Sequence, residues 1–253
     1  MIEICALASG SNGNCYYIGN ELEAVLIDAG ISTKQILERM YHRRLDFRKI
    51  RGVFITHEHS DHVRGAKVLV KKLGIPAFFT PDTFEAVWHS TRPRSFTPFV
   101  PGVSFRFKSF RIHPFLKNHD AKEPCSFRVE YKRISVGVFT DIGLPCKNVE
   151  MHLRKCHAIF LETNYDEEML WNGTYPYYLK KRVASDIGHM SNKQTYQLLT
   201  GHAGKELQYV FLSHLSKENN TPEIAYKTIK PLGKTFEVLL TSREEASEVI
   251  RLG

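Results

Sequence analysis

The sequence predicts an α/β protein in which two β-sheets pack together and helices cover them on the outside. Strand-like apolar runs dominate two stretches of the 253-residue chain, and helix-like runs follow each stretch. Hydrophobic residues make up 42% and charged residues 25% of the sequence, which is typical of a globular protein with a large core. We expect one domain over residues 1–253. The proline-rich stretch 89–101 is predicted to be an ordered loop or a mobile flap over a site, and a solvated connector is the alternative.

The predicted strands are β-branched and aromatic runs bounded by turn residues, as in Val-Phe-Ile at residues 53–55 after Gly52. They are expected at residues 2–7, 15–18, 24–28, 52–56, 77–80, 109–114, 126–129, 135–140, 158–162, 209–213 and 237–240. A predicted helix has apolar residues at helical spacing and cations near its end, as in residues 63–72. Helices are expected at residues 34–43, 63–73, 81–89, 149–154, 192–200, 222–229 and 243–251.

Residues 56–62, Thr-His-Glu-His-Ser-Asp-His, place four metal-ligand side chains between a predicted strand and a predicted helix. His57 and His59 are two residues apart and can chelate one ion from the same side. Asp61 and His62 lie at the start of the helix, turned toward a second position. Imidazole and carboxylate groups suit zinc, manganese or iron. A polar loop with incidental histidines is the alternative, but four such residues in one loop favour a metal site.

Four further ligand-type residues follow other predicted strands, namely Asp28, His119, Asp141 and His214. Any one of them alone is more often a cap or turn residue. Because four independent strand ends each carry such a residue, they are predicted to meet the histidine loop at one sheet edge.

Charge and cysteine usage narrow the partners and the compartment. The 35 basic residues exceed the 27 acidic ones and give a net charge of +8, which favours an anionic partner such as DNA. Five scattered cysteines without a C-x-x-C pair suit reduced thiols. With no basic leader and no apolar run of membrane-spanning length, we expect a cytoplasmic protein without membrane contact.

The ordered set of ligand-type residues resembles the metallo-β-lactamase superfamily over nearly the whole chain. The resemblance implies a four-layer αββα sandwich and two divalent metal ions, zinc or manganese, with iron also compatible. It implies that Asp28 orients the histidine loop and that Asp141 bridges the two ions. The first ion would bind His57, His59 and His119, and the second Asp61, His62 and His214.

Two later segments resemble the tRNA-processing endonuclease branch of that superfamily. They are residues 158–166, which include Glu162, and residues 188–192, which include His189. The resemblance implies that Glu162 orients His189, which donates a proton to the departing oxygen, while the attack on phosphorus takes place near Asp61. The alternative is that His189 is the N-cap of the helix predicted at residues 192–200.

Candidate substrate contacts lie in the loop at residues 8–15 and in the segment at residues 188–192. The turn-rich loop at residues 8–15 could hold a phosphate with small side chains and exposed amides, although a plain β-hairpin loop is the alternative. The candidates are Ser11, Asn12, Asn14, Ser191 and Asn192.

These motifs, together with residues 212–216 and 219–220, resemble the bacterial YycJ/WalJ group. That resemblance implies a metal-dependent 5′→3′ DNA exonuclease in DNA repair or metabolism. The first alternative is a hydrolase of small cyclic phosphodiesters or thioesters, and the second is a binding module without activity. The presence of every expected ligand argues against the module, and a basic track favours DNA over a small ligand. Candidate track residues are Arg92, Arg94, Lys180, Lys181 and Arg182.

Overall fold

A computed structural model describes residues 1–253 and contains fourteen β-strands and nine α-helices. The chain divides into two compact units. The first comprises Met1–Leu116, Ala121–Ile134 and Ser242–Gly253, and the second comprises Lys117–Asp120 and Ser135–Thr241.

The first unit contains a mixed sheet. Its strands are β1 (Ile2–Ala8), β2 (Cys15–Gly19), β3 (Ala24–Ile27), β4 (Ile50–Phe54), β5 (Ala77–Phe79), β6 (Thr97–Pro98) and β14 (Ile250–Leu252). They lie in the order β14-β1-β2-β3-β4-β5-β6, antiparallel as far as β3 and parallel beyond it. Three further strands, β7 (Phe105–Phe107), β8 (Phe110–Leu116) and β9 (Cys125–Tyr131), form antiparallel pairs.

Helices of the first unit pack apolar side chains against this sheet. They are α1 (Thr33–His42), α2 (Ser60–Val63), α3 (Ala66–Leu73) and α4 (Pro81–Ala86). The helix predicted at residues 63–73 begins earlier and breaks at Gly65. A Cβ atom on Gly65 would lie 2.1 Å from the carbonyl oxygen of Ile31. The chain after β3 therefore presses directly against the α2–α3 junction.

The second unit is built on four parallel strands, β10 (Ile134–Phe139), β11 (Ala158–Glu162), β12 (Tyr209–Ser213) and β13 (Glu237–Leu240). Every residue of β11 is buried, which explains its continuous apolar run. Glu162 and Ser213 are register partners at the ends of adjacent strands. Helices α5 (Lys147–Leu153), α6 (Glu167–Asn172), α7 (Tyr177–Val183), α8 (Asn192–His202) and α9 (Pro222–Ile229) complete the unit.

The helix predicted at residues 243–251 is wrong. Residues 250–252 form β14, in which Leu252 pairs with Ile2 of β1. Carbonyl groups that a helix would need accept hydrogen bonds from arginine side chains instead. Arg39 donates to the carbonyls of residues 243 and 244, and Arg43 donates to that of residue 246. Tertiary contacts thus override the local helical pattern.

Helices α6 and α7 and strands β6, β7 and β14 were not predicted. They are short, and no residue of α7 is buried. Their sequences therefore contain little apolar periodicity from which an element could be predicted. Strand β6 lies within the predicted loop at residues 89–101. Even α8, which at 11 residues is the longest helix, falls short of a membrane span, and none of the nine has the required length and hydropathy.

Candidate metal centre and proton donor

The histidine loop, residues 56–62, connects β4 to α2. His57 is buried and His59 is partly exposed. His57 Nε2 lies 3.1 Å from His59 Nδ1. Two nitrogens bound tetrahedrally to one zinc ion at about 2.0–2.1 Å are about 3.3 Å apart. This pair therefore has the spacing of two ligands of one ion.

The carboxylate of Asp28 holds the histidine loop in its orientation. Its buried carboxylate accepts hydrogen bonds from His62 Nδ1 at 2.7 Å and from the amide of Thr56 at 2.8 Å. The Thr56 hydroxyl lies 2.9 Å from Asp28 Oδ2 and 2.9 Å from His57 Nδ1. Because a carboxylate only accepts, Thr56 donates to Asp28 and accepts from His57. In both neutral rings the proton then sits on Nδ1 and the Nε2 lone pair can bind a metal.

The loop between β1 and β2 lies against the same residues. Asn14 is buried, and its amide nitrogen lies 3.3 Å from Asp61 Oδ2 and 3.1 Å from His62 Nε2. These contacts can position Asp61 and His62, and the role of Asn14 as a substrate contact stays a prediction. Ser11 and Asn12, at the tip of the loop, are exposed.

In the second unit, Glu162 holds two histidines. Its Oε1 lies 2.8 Å from His189 Nδ1 and 3.1 Å from His214 Nδ1. Its Oε2 accepts the backbone N–H groups of Ile142 at 2.6 Å and Met190 at 3.2 Å. The carboxylate is thus satisfied on both oxygens, and it fixes both rings with Nδ1 toward Glu162.

Burial opposes ionisation of Glu162, but the attraction of His189 and the hydrogen bonds from His189 and His214 hold its pKa at about 2. Asp141 completes the cluster, with its Oδ1 3.4 Å from His214 Nε2. One ligand atom from each of Asp141, Glu162, His189 and His214 lies within 4.8 Å of the others. The side chain of His189 is 23% exposed, while that of Glu162 is fully buried. His189 is therefore the member of the cluster that solvent can reach.

His119 lies beside this cluster. Its Nδ1 lies 3.1 Å from the carbonyl oxygen of Gly188, to which it donates, and its Nε2 lies 3.9 Å from Asp141 Oδ1. Burial lowers the pKa of His119 to about 3, against the attraction of Asp141. The ring is therefore neutral near pH 7, which is the form that binds metals.

Three of the strand-end residues have a left-handed backbone. The φ angle is 62° at Asp28, 53° at Asp141 and 56° at His214. Side chains other than glycine rarely adopt this conformation, and it concentrates at functional sites. It lets the chain leave a strand and turn at once, so that the side chain is presented at the sheet edge.

Ser191 and Asn192 serve the start of α8. Ser191 is the N-cap and forms a capping box with Gln194, and the side chain of Asn192 donates to that of Asn220 at 3.1 Å. Both residues are buried, and their role as substrate contacts stays a prediction. The alternative that His189 caps this helix is wrong, because Ser191 fills that position.

Sequence reasoning missed two buried residues that support the candidate ligands. Asn164 donates to the carbonyl of His214 at 2.7 Å, and the Lys117 ammonium group donates to the carbonyl of Thr140 at 2.6 Å. Each lies within two residues of a predicted site residue, which is the signal that could have identified them. Their partners, however, come from distant parts of the chain.

Two residues of the predicted basic track are paired internally. Arg92 donates to the carbonyl of Val87 and to the carboxylate of Glu85. Arg182 forms an ion pair with Asp120 at 2.7 Å. Their charges are therefore partly compensated, whereas Arg94 is exposed on the loop at residues 89–101.

The fold and these clusters define a class of protein, the metal-dependent hydrolases of the metallo-β-lactamase fold. The chain belongs to the β-lactamase superfamily, since the family described as "Beta-lactamase superfamily domain" matches residues 23–214. The metallo-β-lactamase fold protein YhfI from Bacillus subtilis matches with a TM-score of 0.73 and 15% identity, over 98% of this chain and 100% of that one. This likeness concerns the fold alone and confirms the predicted α/β class.

Two relatives are similar over nearly their whole length. Exodeoxyribonuclease YycJ from Bacillus anthracis is 30% identical over 249 residues, which cover 94% of this chain and 94% of the relative. Exodeoxyribonuclease WalJ from Streptococcus pneumoniae serotype 2 is 30% identical over 259 residues, which cover 97% of this chain and 96% of the relative. The predicted resemblance to the YycJ/WalJ group is thereby confirmed.

Proposed function

We propose that the protein is a dinuclear-metal-dependent 5′→3′ exonuclease that acts on DNA in repair or metabolism. The observation that carries this proposal is the Glu162–His189 pair beside Asp141 and His214. A phosphodiester has a poor alkoxide leaving group, so its cleavage gains from a positioned acid. The two relatives named exodeoxyribonucleases support DNA as the substrate. The cytoplasmic location is part of the proposal and rests on the five scattered cysteines, which include no C-x-x-C pair.

The proposed ligands share one hydrogen-bonding pattern. Four histidines direct Nδ1 to an oxygen atom, which belongs to Thr56, Asp28, Gly188 or Glu162. The other ring nitrogen, Nε2, is the one proposed to bind an ion in each of these rings, and His59 would use Nδ1. Five imidazoles and two carboxylates suit zinc or manganese, and iron is also compatible. We propose His57, His59 and His119 for the first ion, Asp61, His62 and His214 for the second, and Asp141 as the bridge.

When bound, the ions would activate the attacking water and neutralise charge on the phosphate oxygens. The side chains of the protein would orient the reacting groups and transfer the proton. Asp61 orients the attacking water, and Asp28 holds the histidine loop through Thr56 and His62. His189 donates its Nε2 proton to the departing sugar oxygen, while Glu162 accepts a hydrogen bond from Nδ1 and stabilises the charged ring. The exposed side chains of Ser11 and Asn12 are proposed to contact the substrate.

The test is to incubate the purified protein with 5′-labelled single-stranded and double-stranded DNA in the presence of Mn²⁺ or Zn²⁺. Ordered release of mononucleotides beginning with the labelled one supports the proposal. An RNA of the same sequence tests the choice of DNA. Hydrolysis confined to small cyclic phosphodiesters or thioesters, without any degradation of DNA, would establish the alternative.

A further inference from the structure

Helices α6 and α7 expose three large aromatic side chains. Trp171 is 46% exposed, Tyr177 66% and Tyr178 74%. Because no residue of α7 is buried, this helix gains little from apolar packing within the chain. A group of exposed rings on one short segment is typical of a surface that binds a partner.

Basic side chains lie among these rings. The Trp171 and Tyr177 ring centroids are 6.4 Å apart, and the Lys181 ammonium group lies 5.0 Å from the Tyr177 ring centroid. The Lys180 ammonium group donates to the carbonyl of Trp171 at 2.8 Å. We call Trp171, Tyr177, Tyr178, Lys180 and Lys181 the aromatic platform. It combines flat apolar faces with two positive charges.

Helix α7, which carries four of the five platform residues, contacts the backbone of the proposed proton donor at its C-terminal end. The carbonyl of Val183, at the end of α7, accepts the backbone N–H of His189 at 2.9 Å. A Cβ atom on Gly188 would lie 2.2 Å from the Arg182 carbonyl oxygen and 2.3 Å from that of Val183. The end of α7 therefore packs against the backbone that carries His189.

A second attachment joins α7 to the residue after His119. Arg182 Nε and Nη2 each lie 2.7 Å from Asp120 Oδ2. The Asp120 carboxylate compensates this charge, so Arg182 serves to anchor the helix. Of the three cations on α7, the two lysines are left to attract an anionic ligand.

We propose that the aromatic platform binds a single-stranded stretch of polynucleotide and directs its end to His189. Bases would stack on the Trp171, Tyr177 and Tyr178 rings, and phosphates would pair with the two lysines. A single strand fits because its bases offer free faces, whereas bases inside a duplex stack on one another. Stacking tolerates any sequence, as an exonuclease requires. The inference rests on the proposed function and deepens it, since it assigns the substrate a single-stranded end.

Binding tests the platform independently of hydrolysis. A fluorescent oligothymidylate is titrated with the native protein, Tyr177→Leu, Tyr178→Leu and the double variant, with a chelator present to prevent cleavage. Each single variant should weaken binding about 5- to 150-fold, the range expected for losing one stacked base. Tyr177→Phe, which keeps the ring, should restore binding. A blunt duplex of the same length should bind less tightly than the single strand.

A matched control is available in the same unit. The Tyr226 ring on α9 has the Lys230 ammonium group 6.0 Å from its centroid, so it reproduces the tyrosine–lysine pair on a helix that carries no candidate site residue. Tyr226→Leu should bind the oligonucleotide as the native protein does. Lys181→Gln should reduce the slope of log affinity against log salt by about 0.7, the value for one phosphate contact with a single strand.

Kinetics separate this proposal from the proposed function. With single-stranded DNA, the tyrosine variants should raise KM more than they lower kcat, and the loss should exceed any loss with bis(p-nitrophenyl) phosphate by about tenfold or more. Variants that bind and degrade single strands like the native protein would overturn the platform while leaving the exonuclease intact. A native protein that binds single strands through these rings without degrading DNA would overturn the exonuclease alone.

Discussion

At the scale of single residues, the candidate site contains side chains whose hydrogen bonds determine which ring nitrogen of a neighbouring histidine carries the proton. Asp28 and Glu162 each bind the Nδ1 side of a histidine, which leaves Nε2 as the ring nitrogen that the proposed function assigns to a metal or to a proton transfer. Asp28 was predicted because it ends an apolar strand, and Glu162 was predicted from the resemblance of residues 158–166 to the tRNA-processing endonuclease branch. It could not predict that Asn14 contacts Asp61 and His62, since that contact joins residues nearly fifty positions apart.

His189→Ala distinguishes a proton donor from a ligand. Loss of a general acid lowers kcat by about 10²- to 10⁴-fold, and we expect metal content to stay at the native level. Elemental analysis and steady-state kinetics on the same preparation measure both. Because His189 lies within 4.8 Å of Asp141 and His214, parallel loss of metal and activity would make it a ligand. His202→Ala, at the other end of α8, is the control.

His113 makes stability depend on pH. Burial lowers the pKa of His113, and the charge of Arg128 adds to this effect, against the attraction of Glu130. In the unfolded chain this histidine has its ordinary pKa of about 6.5, so as the pH falls it is protonated at a higher pH than in the folded protein. The stability of the folded protein therefore decreases as the pH drops below about 6.5. In His113→Gln, the unfolding midpoint should decrease less between about pH 7 and pH 5.

The matched control for His113 is His42→Gln, which changes an exposed histidine at the end of α1. Any contribution from bound metal is common to all three proteins, so the difference between their pH profiles isolates the substituted side chain. A profile of His113→Gln identical to that of the native protein would contradict the assignment.

At the scale of elements, the strands of the parallel sheet in the second unit were predicted best. The strands at residues 158–162, 209–213 and 237–240 match the structure to the residue. The first two are buried almost throughout, and buried parallel strands show continuous apolar runs. Helix α7 was not predicted because it buries no side chain and so has no apolar face to recognise in the sequence. The false helix at residues 243–251 shows the converse, since its carbonyls bind Arg39 and Arg43 rather than amides of the same segment.

Gly188→Ala tests the contact between α7 and His189. The added methyl group would overlap the Arg182 and Val183 carbonyls, so the backbone must shift, and overpacking of this kind costs about 1–3 kcal/mol. We expect kcat to fall at least about tenfold as His189 moves out of position. Chemical denaturation and steady-state kinetics give the two values.

The control for Gly188→Ala is Gly201→Ala in α8. A Cβ atom on Gly201 meets nothing within 4 Å, so alanine should stabilise that helix by up to about 1 kcal/mol and leave kcat unchanged. Equal behaviour of the two variants would show that the close packing at Gly188 has no bearing on His189.

At the scale of the whole molecule, bound metal should govern both activity and stability. The proposed ligand sets predict two ions per chain, and a ligand that binds only the folded state stabilises it. Treatment with a chelator should abolish hydrolysis and lower Tm, and Zn²⁺ or Mn²⁺ should restore both. Elemental analysis of the native protein should give two equivalents. His59→Ala and Asp141→Ala should each abolish hydrolysis and retain less metal.

Metal content near zero in carefully purified protein, together with no rebinding, would contradict the dinuclear site. A single equivalent that disappears in Asp141→Ala but persists in His59→Ala would instead place one ion near Asp141, Glu162 and His214. The sequence alone could not choose between these outcomes. It does not show that Glu162 and His189 lie within ligand distance of Asp141 and His214.

The net charge of +8 predicts a response to salt that depends on the substrate. A polyanion releases counterions when it binds basic side chains, so kcat/KM on single-stranded DNA should fall linearly with salt on logarithmic axes, by about 0.7 per phosphate engaged. Bis(p-nitrophenyl) phosphate carries one charge and engages few basic groups, so its hydrolysis should change little over about 50–200 mM salt. Stopped-time assays with both substrates in the same buffers supply the two slopes. Equal slopes would mean that DNA meets no more cations than a small diester does, and the basic surface would then have no part in substrate choice.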